Sequence, residues 1–211
     1  VFGGAFDPPH NAHRALAQAA MQQLQLDQMR IVPTGQAWHK SRSLSAPAHR
    51  LAMAQLAFAD LPGVCIDPRE IARLGPSYTV DTLAELRAEY PDAQLFLLMG
   101  DDQANAITTW HRWQDLPQLA TICVAARGNS TGANSPFDAQ WPFAGSLRRL
   151  TMPPLDLSAT TIRERLAHGQ GDLLHGRRQA DLRRGARRHG GERDQAGERA
   201  EVSGGAGVVA G

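Results

Sequence analysis

The chain has 211 residues, 42% of them hydrophobic, and 22 Lys and Arg stand against 21 Asp and Glu. That length holds one sizeable core, and the near-neutral charge argues for neither a nucleic-acid nor a membrane-surface partner. With no apolar run near the roughly 20 residues that cross a bilayer, and no charged-then-apolar leader, a cytoplasmic protein is expected.

In chain order, residues 1–4 read as the end of a strand running into a glycine turn. Because the first residue is Val1 and not Met, that strand is expected to be cut short. Over residues 11–26, Leu16, Ala19, Ala20 and Leu24 recur at helical spacing. Residues 29–33 are a short apolar run stopped by proline, the expected second strand. A polar loop over 34–47 leads to a second helical pattern over 48–59, and 64–67 read as a third strand. Residues 79–90 are helical, with Val80, Leu83 and Leu86 on one face and Pro91 after them. The runs 94–100 and 121–126 have the continuous apolar character of central parallel strands. Cys65 and Cys123 sit in such runs and read as small core residues in a reducing compartment. Residues 128–145, rich in Gly, Asn, Ser and Pro, read as a mobile loop. One more strand at 150–152 precedes a helix at 159–168. Alternating strands and helices imply a doubly wound, Rossmann-like α/β fold with a parallel sheet, whose ligands sit beyond the carboxyl ends of the strands.

The composition changes after about His175. Arg pairs and glycines recur there without apolar periodicity, so residues 175–211 cannot offset their ordering entropy and are expected to be disordered. An Arg-rich nucleic-acid arm, a solvated tail and an out-of-frame translation of GC-rich DNA all fit this composition, and the last is favoured. The folded domain is expected over residues 1–174.

The chemistry begins at Gly3-Gly4-Ala5-Phe6-Asp7-Pro8-Pro9-His10-Asn11-Ala12-His13. Gly3 and Gly4 let backbone amides approach a ligand, and the helix that follows offers its N-terminal amides to an anion. His10 and His13 are three residues apart, neighbours if a helix begins there, and both imidazoles could donate to phosphate oxygens. Asp7 would repel phosphate and is expected to hold the loop through backbone bonds. An isolated His pair is more often a surface accident, and a shared metal ion would need a third ligand that is not evident nearby. Strand, double glycine, proline-stiffened turn and paired His at one address argue against both.

A second anion signal is Leu157-Ser158-Ala159-Thr160-Thr161-Ile162-Arg163, with Ser158 as helix cap and Arg163 one turn in. Between the two lie Gly75-Pro76-Ser77-Tyr78-Thr79, where Ser77 or Thr79 could cap the next helix, and Gly100-Asp101-Asp102 at the end of the most apolar strand. Trp110 and Trp113 read by themselves as packed aromatics. Trp38-His39-Lys40 follows the second strand and contains the only lysine of the chain, and Arg50 could position that loop.

The glycine–histidine run resembles the signature of the nucleotidylyltransferase superfamily, and more closely that of bacterial nicotinate-nucleotide adenylyltransferases. Those enzymes usually have Thr where Ala5 stands and Gly where Ala12 stands. Residues 157–163 resemble the second signature, a Ser-Ser/Ala-Thr-x-Ile-Arg stretch that grips ATP phosphates. Class I aminoacyl-tRNA synthetases share the two-histidine theme but are longer. The resemblance spans residues 1–174.

It implies transfer of AMP from ATP to nicotinate mononucleotide, giving deamido-NAD and pyrophosphate in NAD biosynthesis. His10, His13 and Arg163 would be catalytic. ATP would meet Gly3, Gly4, Ala5, Phe6, His13, Gly100, Asp102 (on the ribose), Ser158, Thr160, Ile162 and Arg163. Nicotinate mononucleotide would meet His39, Lys40, Ser77, Tyr78, Thr79 and Trp110, with backbone amides on its carboxylate and the indole of Trp110 on its ring. Mg²⁺ would arrive on the ATP phosphates, with no protein metal cage. The alternatives are nicotinamide mononucleotide or phosphopantetheine as acceptor, or a nucleotide-binding protein impaired by its altered carboxyl terminus.

Overall fold

A computed structural model describes residues 1–35, 44–126, 141–143, 147–152 and 159–168. Six strands, β1 (Phe2–Gly4), β2 (Met29–Pro33), β3 (Val64–Ile66), β4 (Phe96–Gly100), β5 (Thr121–Ala126) and β6 (Leu147–Thr151), form one sheet in the order β3-β2-β1-β4-β5-β6. Every neighbouring pair is parallel. This is the expected doubly wound α/β architecture, and its strand order reverses between β1 and β4.

The helices are α1 (Asn11–Gln23), α2 (Pro47–Phe58), α3 (Arg69–Ala72), α4 (Thr79–Glu89), α5 (Asp101–Asn105), α6 (Leu116–Leu119) and α7 (Ala159–Ala167). The compact unit to which the sheet belongs is Val1–Arg165. The Arg- and Gly-rich segment 175–211 and the expected domain boundary at 174 lie outside the described residues. Among those described, no helix is long and apolar enough to cross a membrane.

Strand periodicity divides the interior. Along β4, Leu98 faces one core with Phe2, Phe6, Leu16, Ala17, Ala20 and Phe58, which α1 and α2 cover. Leu97 and Met99 face the other, with Val80, Leu83, Ile107 and Leu116. β5 repeats the division, Cys123 and Ala125 to the first core and Ile122 and Val124 to the second. Side chains alternating across a sheet covered on both faces give the unbroken apolar runs of those two strands. Cys123 is completely buried in its core, and burial above all pushes its thiol up to about 11, consistent with a packing role. Cys65 is half-buried, with its Sγ on the carbonyl of Met29.

Several boundaries differ from the sequence pattern. β6 begins at Leu147, not at 150, and pairs Leu147 with Ile122 and Thr151 with Ala126. It is an edge strand, so Arg148 tolerates exposure and interrupts the apolar signal. α3, α5 and α6 have four or five residues each, too few for a helical period to show. Within the stretch read as a mobile loop, Trp141 and Phe143 pack against the second core with ring centroids 5.4 Å apart. Residues 127–140 and 144–146 of that region lie outside the description.

Candidate active site

Gly3 and Gly100 sit toward the carboxyl ends of neighbouring strands, where the strand order reverses. A Cβ at Gly100 would meet nothing within 4 Å, and one at Gly3 would touch only the Val32 carbonyl at 4.0 Å. Protein packing therefore does not require either glycine, and both leave backbone open at the place where this fold receives ligands. Gly4 differs, since its Cβ would come within 3.1 Å of the Phe6 ring.

Phe6 holds the turn after β1. Its φ is 47°, a conformation that costs a bulky residue on the order of 1–3 kcal/mol. The ring is only 1% exposed and lies edge-on to Phe2, Phe58 and His13 at centroid distances of 5.5, 5.8 and 5.1 Å. Burial of a phenylalanine contributes about 1.5–3 kcal/mol, enough to offset that strain. Asp7 is buried too, and its Oδ2 accepts from the Ser45 amide at 3.1 Å. It holds the loop, as its acidity led us to expect.

His10 is the N-cap residue of α1 and His13 lies three positions on. The His10 amide donates to His13 Nδ1 at 3.1 Å, and the two rings stack with centroids 3.8 Å apart. A nitrogen that accepts carries no proton, so the His13 proton resides on Nε2. The imidazole is thus held as a donor between the rings of His10 and Phe6.

Arg163 joins the distant motif to this turn. Its Nη1 donates to the Asp7 carbonyl at 2.7 Å and its Nη2 to Thr160 Oγ1 at 2.9 Å. Ile162, 3% exposed, anchors α7 in the interior. Ser158 lies outside the described residues, as do His39 and Lys40.

A second brace is Arg50, 1% exposed. Its Nε donates to the Ser45 carbonyl at 3.0 Å, Nη1 to Ala5 at 3.0 Å and Nη2 to Gly35 at 3.2 Å. Burial pulls this guanidinium below the usual arginine range while the nearby Asp7 charge opposes the shift. One cation therefore ties the exits of β1 and β2 to the start of α2.

The Ser77 region folds differently from the capping expected of it. Tyr78 is the N-cap residue of α4, with no side-chain cap bond, and Thr79 is the first helical residue. Ser77 does not cap because it is buried and its hydroxyl already donates to the Glu70 carbonyl at 3.1 Å. Any ligand contact at Ser77 is left to its backbone. The Tyr78 ring stacks on His111, centroids 4.2 Å apart, and both Tyr78 and Trp110 border the second core. Trp113 packs there as well, against Phe143 at 5.3 Å. Asp102 is exposed in the first turn of α5.

Donors dominate the described site: two imidazoles, the Arg163 guanidinium and helix amides, with the buried Arg50 behind them as a brace. Among the described residues no group of three or more His, Cys, Asp or Glu could hold a metal ion. Such a donor set suits phosphate oxygens, together with any cation those oxygens carry.

The sequence pattern of the cytidylyltransferase-like family matches residues 1–165. A nicotinate-nucleotide adenylyltransferase of Albidiferax ferrireducens is 61% identical over 167 residues, covering 79% of this chain and 84% of that one. This chain belongs to the nicotinate-nucleotide adenylyltransferase family. A second member, from Methylibium petroleiphilum, is 43% identical over 170 residues, 80% of this chain and 79% of that one. Among solved structures, the Plasmodium falciparum nicotinic acid mononucleotide adenylyltransferase complexed with NaAD shares the fold. It has a TM-score of 0.63 at 18% identity and covers 78% of this chain and 82% of that chain.

Two residues of this adenylyltransferase escaped the sequence reading. Glu70 meets partners from three separate segments, and no spacing in the chain announces it. His111 sits beside Trp110, but a lone exposed histidine carries no signal of a stacking partner.

Proposed function

We infer that this chain transfers the AMP moiety of ATP to nicotinate mononucleotide, giving deamido-NAD and pyrophosphate. The observation that carries the reading is the bond from Arg163 to the Asp7 carbonyl. It draws the two phosphate motifs together where the strand order reverses, in a chain 61% identical to a family member. The solved relative from Plasmodium falciparum is complexed with NaAD, the product this reaction forms.

In the step itself, an oxygen of the acceptor's 5′-phosphate forms a bond to the α-phosphorus of ATP. The bond to the β-phosphate bridge breaks, and pyrophosphate leaves with that electron pair. The nucleophile is already an anion at neutral pH, so catalysis reduces to alignment and charge stabilisation. His13 would donate from Nε2 to the phosphoryl oxygens, and His10 and Arg163 would add to the positive field. Gly3, Gly4, Ala5 and Phe6 present backbone to the nucleotide, Gly100 leaves room for it, and Asp102 would bond the ribose. Ser158, Thr160 and Ile162 set the second phosphate contact. On the acceptor side, the backbone from Ser77 through Thr79 would meet the nicotinate carboxylate and Trp110 the pyridine ring. Tyr78 would border that pocket, and His39 and Lys40 are proposed as phosphate contacts. When bound on the ATP phosphates, Mg²⁺ would neutralise part of their charge. This reading places the enzyme in the cytoplasm.

Pyrophosphate release with ATP tests the reading against three acceptors: nicotinate mononucleotide, nicotinamide mononucleotide and phosphopantetheine. We expect the acid nucleotide to be preferred at least tenfold. Preference for another acceptor would overturn the acceptor assignment, and release with none would overturn the activity.

A further inference from the structure

The buried carboxylate of Glu70 has no part in the chemistry above. It is 7% exposed. Thr82 Oγ1 donates to its Oε1 at 2.8 Å, and the Gly35 amide also donates to the carboxylate. Its own backbone carbonyl receives the Ser77 hydroxyl at 3.1 Å. One residue thus binds the exit of β2 at Gly35, the segment entering α4 at Ser77 and the first turn of α4 at Thr82.

The fit around it leaves no slack. A Cβ at Gly35 would overlap the Glu70 carbonyl and come within 2.9 Å of Ser77 Oγ. Thr82 is 1% exposed, so its hydroxyl has little access to water once the carboxylate is removed. The Arg73 guanidinium reaches Thr82 Oγ1 at 3.4 Å and Glu85 at 2.7 Å, placing a positive charge beside the carboxylate. A buried carboxylate is costly unless hydrogen bonds and charge compensate it. Here both are present, although burial outweighs them and pushes the carboxyl above its usual range, and they converge on the backbone that precedes Tyr78 and Thr79.

We propose that Glu70 is a positioning residue for the acceptor nucleotide, fixing the Ser77–Thr79 backbone relative to the exit of β2 through Gly35, Ser77 and Thr82. The proposal rests on the reading that this backbone receives a pyridine nucleotide carrying a carboxylate. Glu70 does not touch that nucleotide. It sets the height and direction of the α4 N-terminus, whose amides a carboxylate would meet. The ATP half of the site, on β1, α1 and α7, makes no bond to it among the described residues.

The test is steady-state kinetics with both substrates varied, on Glu70→Ala, Glu70→Gln and Thr82→Val, with a thermal midpoint for each. Glu70→Ala should raise KM for nicotinate mononucleotide at least tenfold and leave KM for ATP within twofold. Glu70→Gln, which keeps one acceptor oxygen, should fall between it and the wild type, and Thr82→Val should show the same split. If the alanine variant does not fold, the other two decide. A loss of active fraction alone would lower kcat and leave both KM values in place. That result, or an equal rise in both KM values, would overturn the proposal. Wild-type enzyme that turns over no pyridine nucleotide would overturn the functional reading and this proposal with it.

Discussion

Replacing Arg50 by Met removes the brace between the exits of β1 and β2 while keeping an unbranched apolar stem. The wild-type guanidinium gives three hydrogen bonds to carbonyls, at 3.0, 3.0 and 3.2 Å, from a position 1% exposed. Bonds to a charged donor contribute about 1.5–3 kcal/mol each, and burying the cation costs back several kcal/mol. The substitution also strands the Ala5, Gly35 and Ser45 carbonyls and leaves buried Asp7 without the nearby positive charge. Loss of one partner from such a buried arrangement costs about 3–5 kcal/mol. With a urea m-value of about 2 kcal/mol/M, the unfolding midpoint should fall by roughly 1.5–2.5 M. Because Ala5 lies on the loop proposed to hold phosphate and Gly35 at the exit of β2, KM should rise for ATP and acceptor together. Arg50→Lys should recover part of the loss, since one ammonium cannot span three carbonyls fixed in different directions. A midpoint shift below about 0.5 M would refute the assigned role.

Two further outcomes follow from the same geometry. His13→Ala should lower kcat by about 10²–10³ with an unchanged circular-dichroism spectrum, as expected when an oriented transition-state donor is lost. Near-normal pyrophosphate release would remove His13 from the chemistry. Burial pushes the Asp67 carboxyl up, but bonds from the Arg69 side chain and backbone and the charges of Arg69 and Arg30 outweigh it, so its pKa lies below the ordinary 3.8. A depressed carboxylate stabilises the fold above its unfolded value and loses that contribution as pH falls through the folded one. Asp67→Asn should therefore cost about 1–3 kcal/mol by urea unfolding at pH 7. The gap from wild type should close as pH drops below 3.8, and a constant gap would refute the ionic origin.

The parts of this molecule legible in its sequence are those whose signal is local. β2 and β5 are short apolar runs bounded by turn residues, and they emerge at the predicted positions, Met29–Pro33 and Thr121–Ala126. The histidine pair was legible for the same reason, since cap and third helical residue lie within one turn. What the chain does not announce is assembled across distance. Arg163 finds the Asp7 carbonyl from 156 positions away, so the motif was visible but its partner was not. Ser77 looks like a cap because a serine before a helix usually is one. Its hydroxyl is claimed by a carbonyl seven residues back, a competition that only the folded packing decides. Glu70 is silent because a single acid in a charged stretch reads as solvated surface until three segments close over it.

These long-range contacts also separate the two jobs of the enzyme. The groups proposed for the chemistry, His13 and Arg163, are positioned from the β1 turn and α7, and each is held by hydrogen bonds in the described structure. The backbone proposed to receive the acceptor is tied to α3 and α4 through Glu70. Arg50 is a side-chain brace that touches both sides, through Ala5 and Gly35, alongside the backbone bond from the Thr34 amide to the Gly4 carbonyl. If binding and chemistry are carried by separate scaffolds, their defects should be separable as well. A lesion at Glu70 should appear in acceptor KM, one at His13 in kcat, and one at Arg50 in both KM values together with stability. Three single substitutions with three different kinetic signatures are a stronger constraint on this architecture than any one of them, because general destabilisation would give all three the same one.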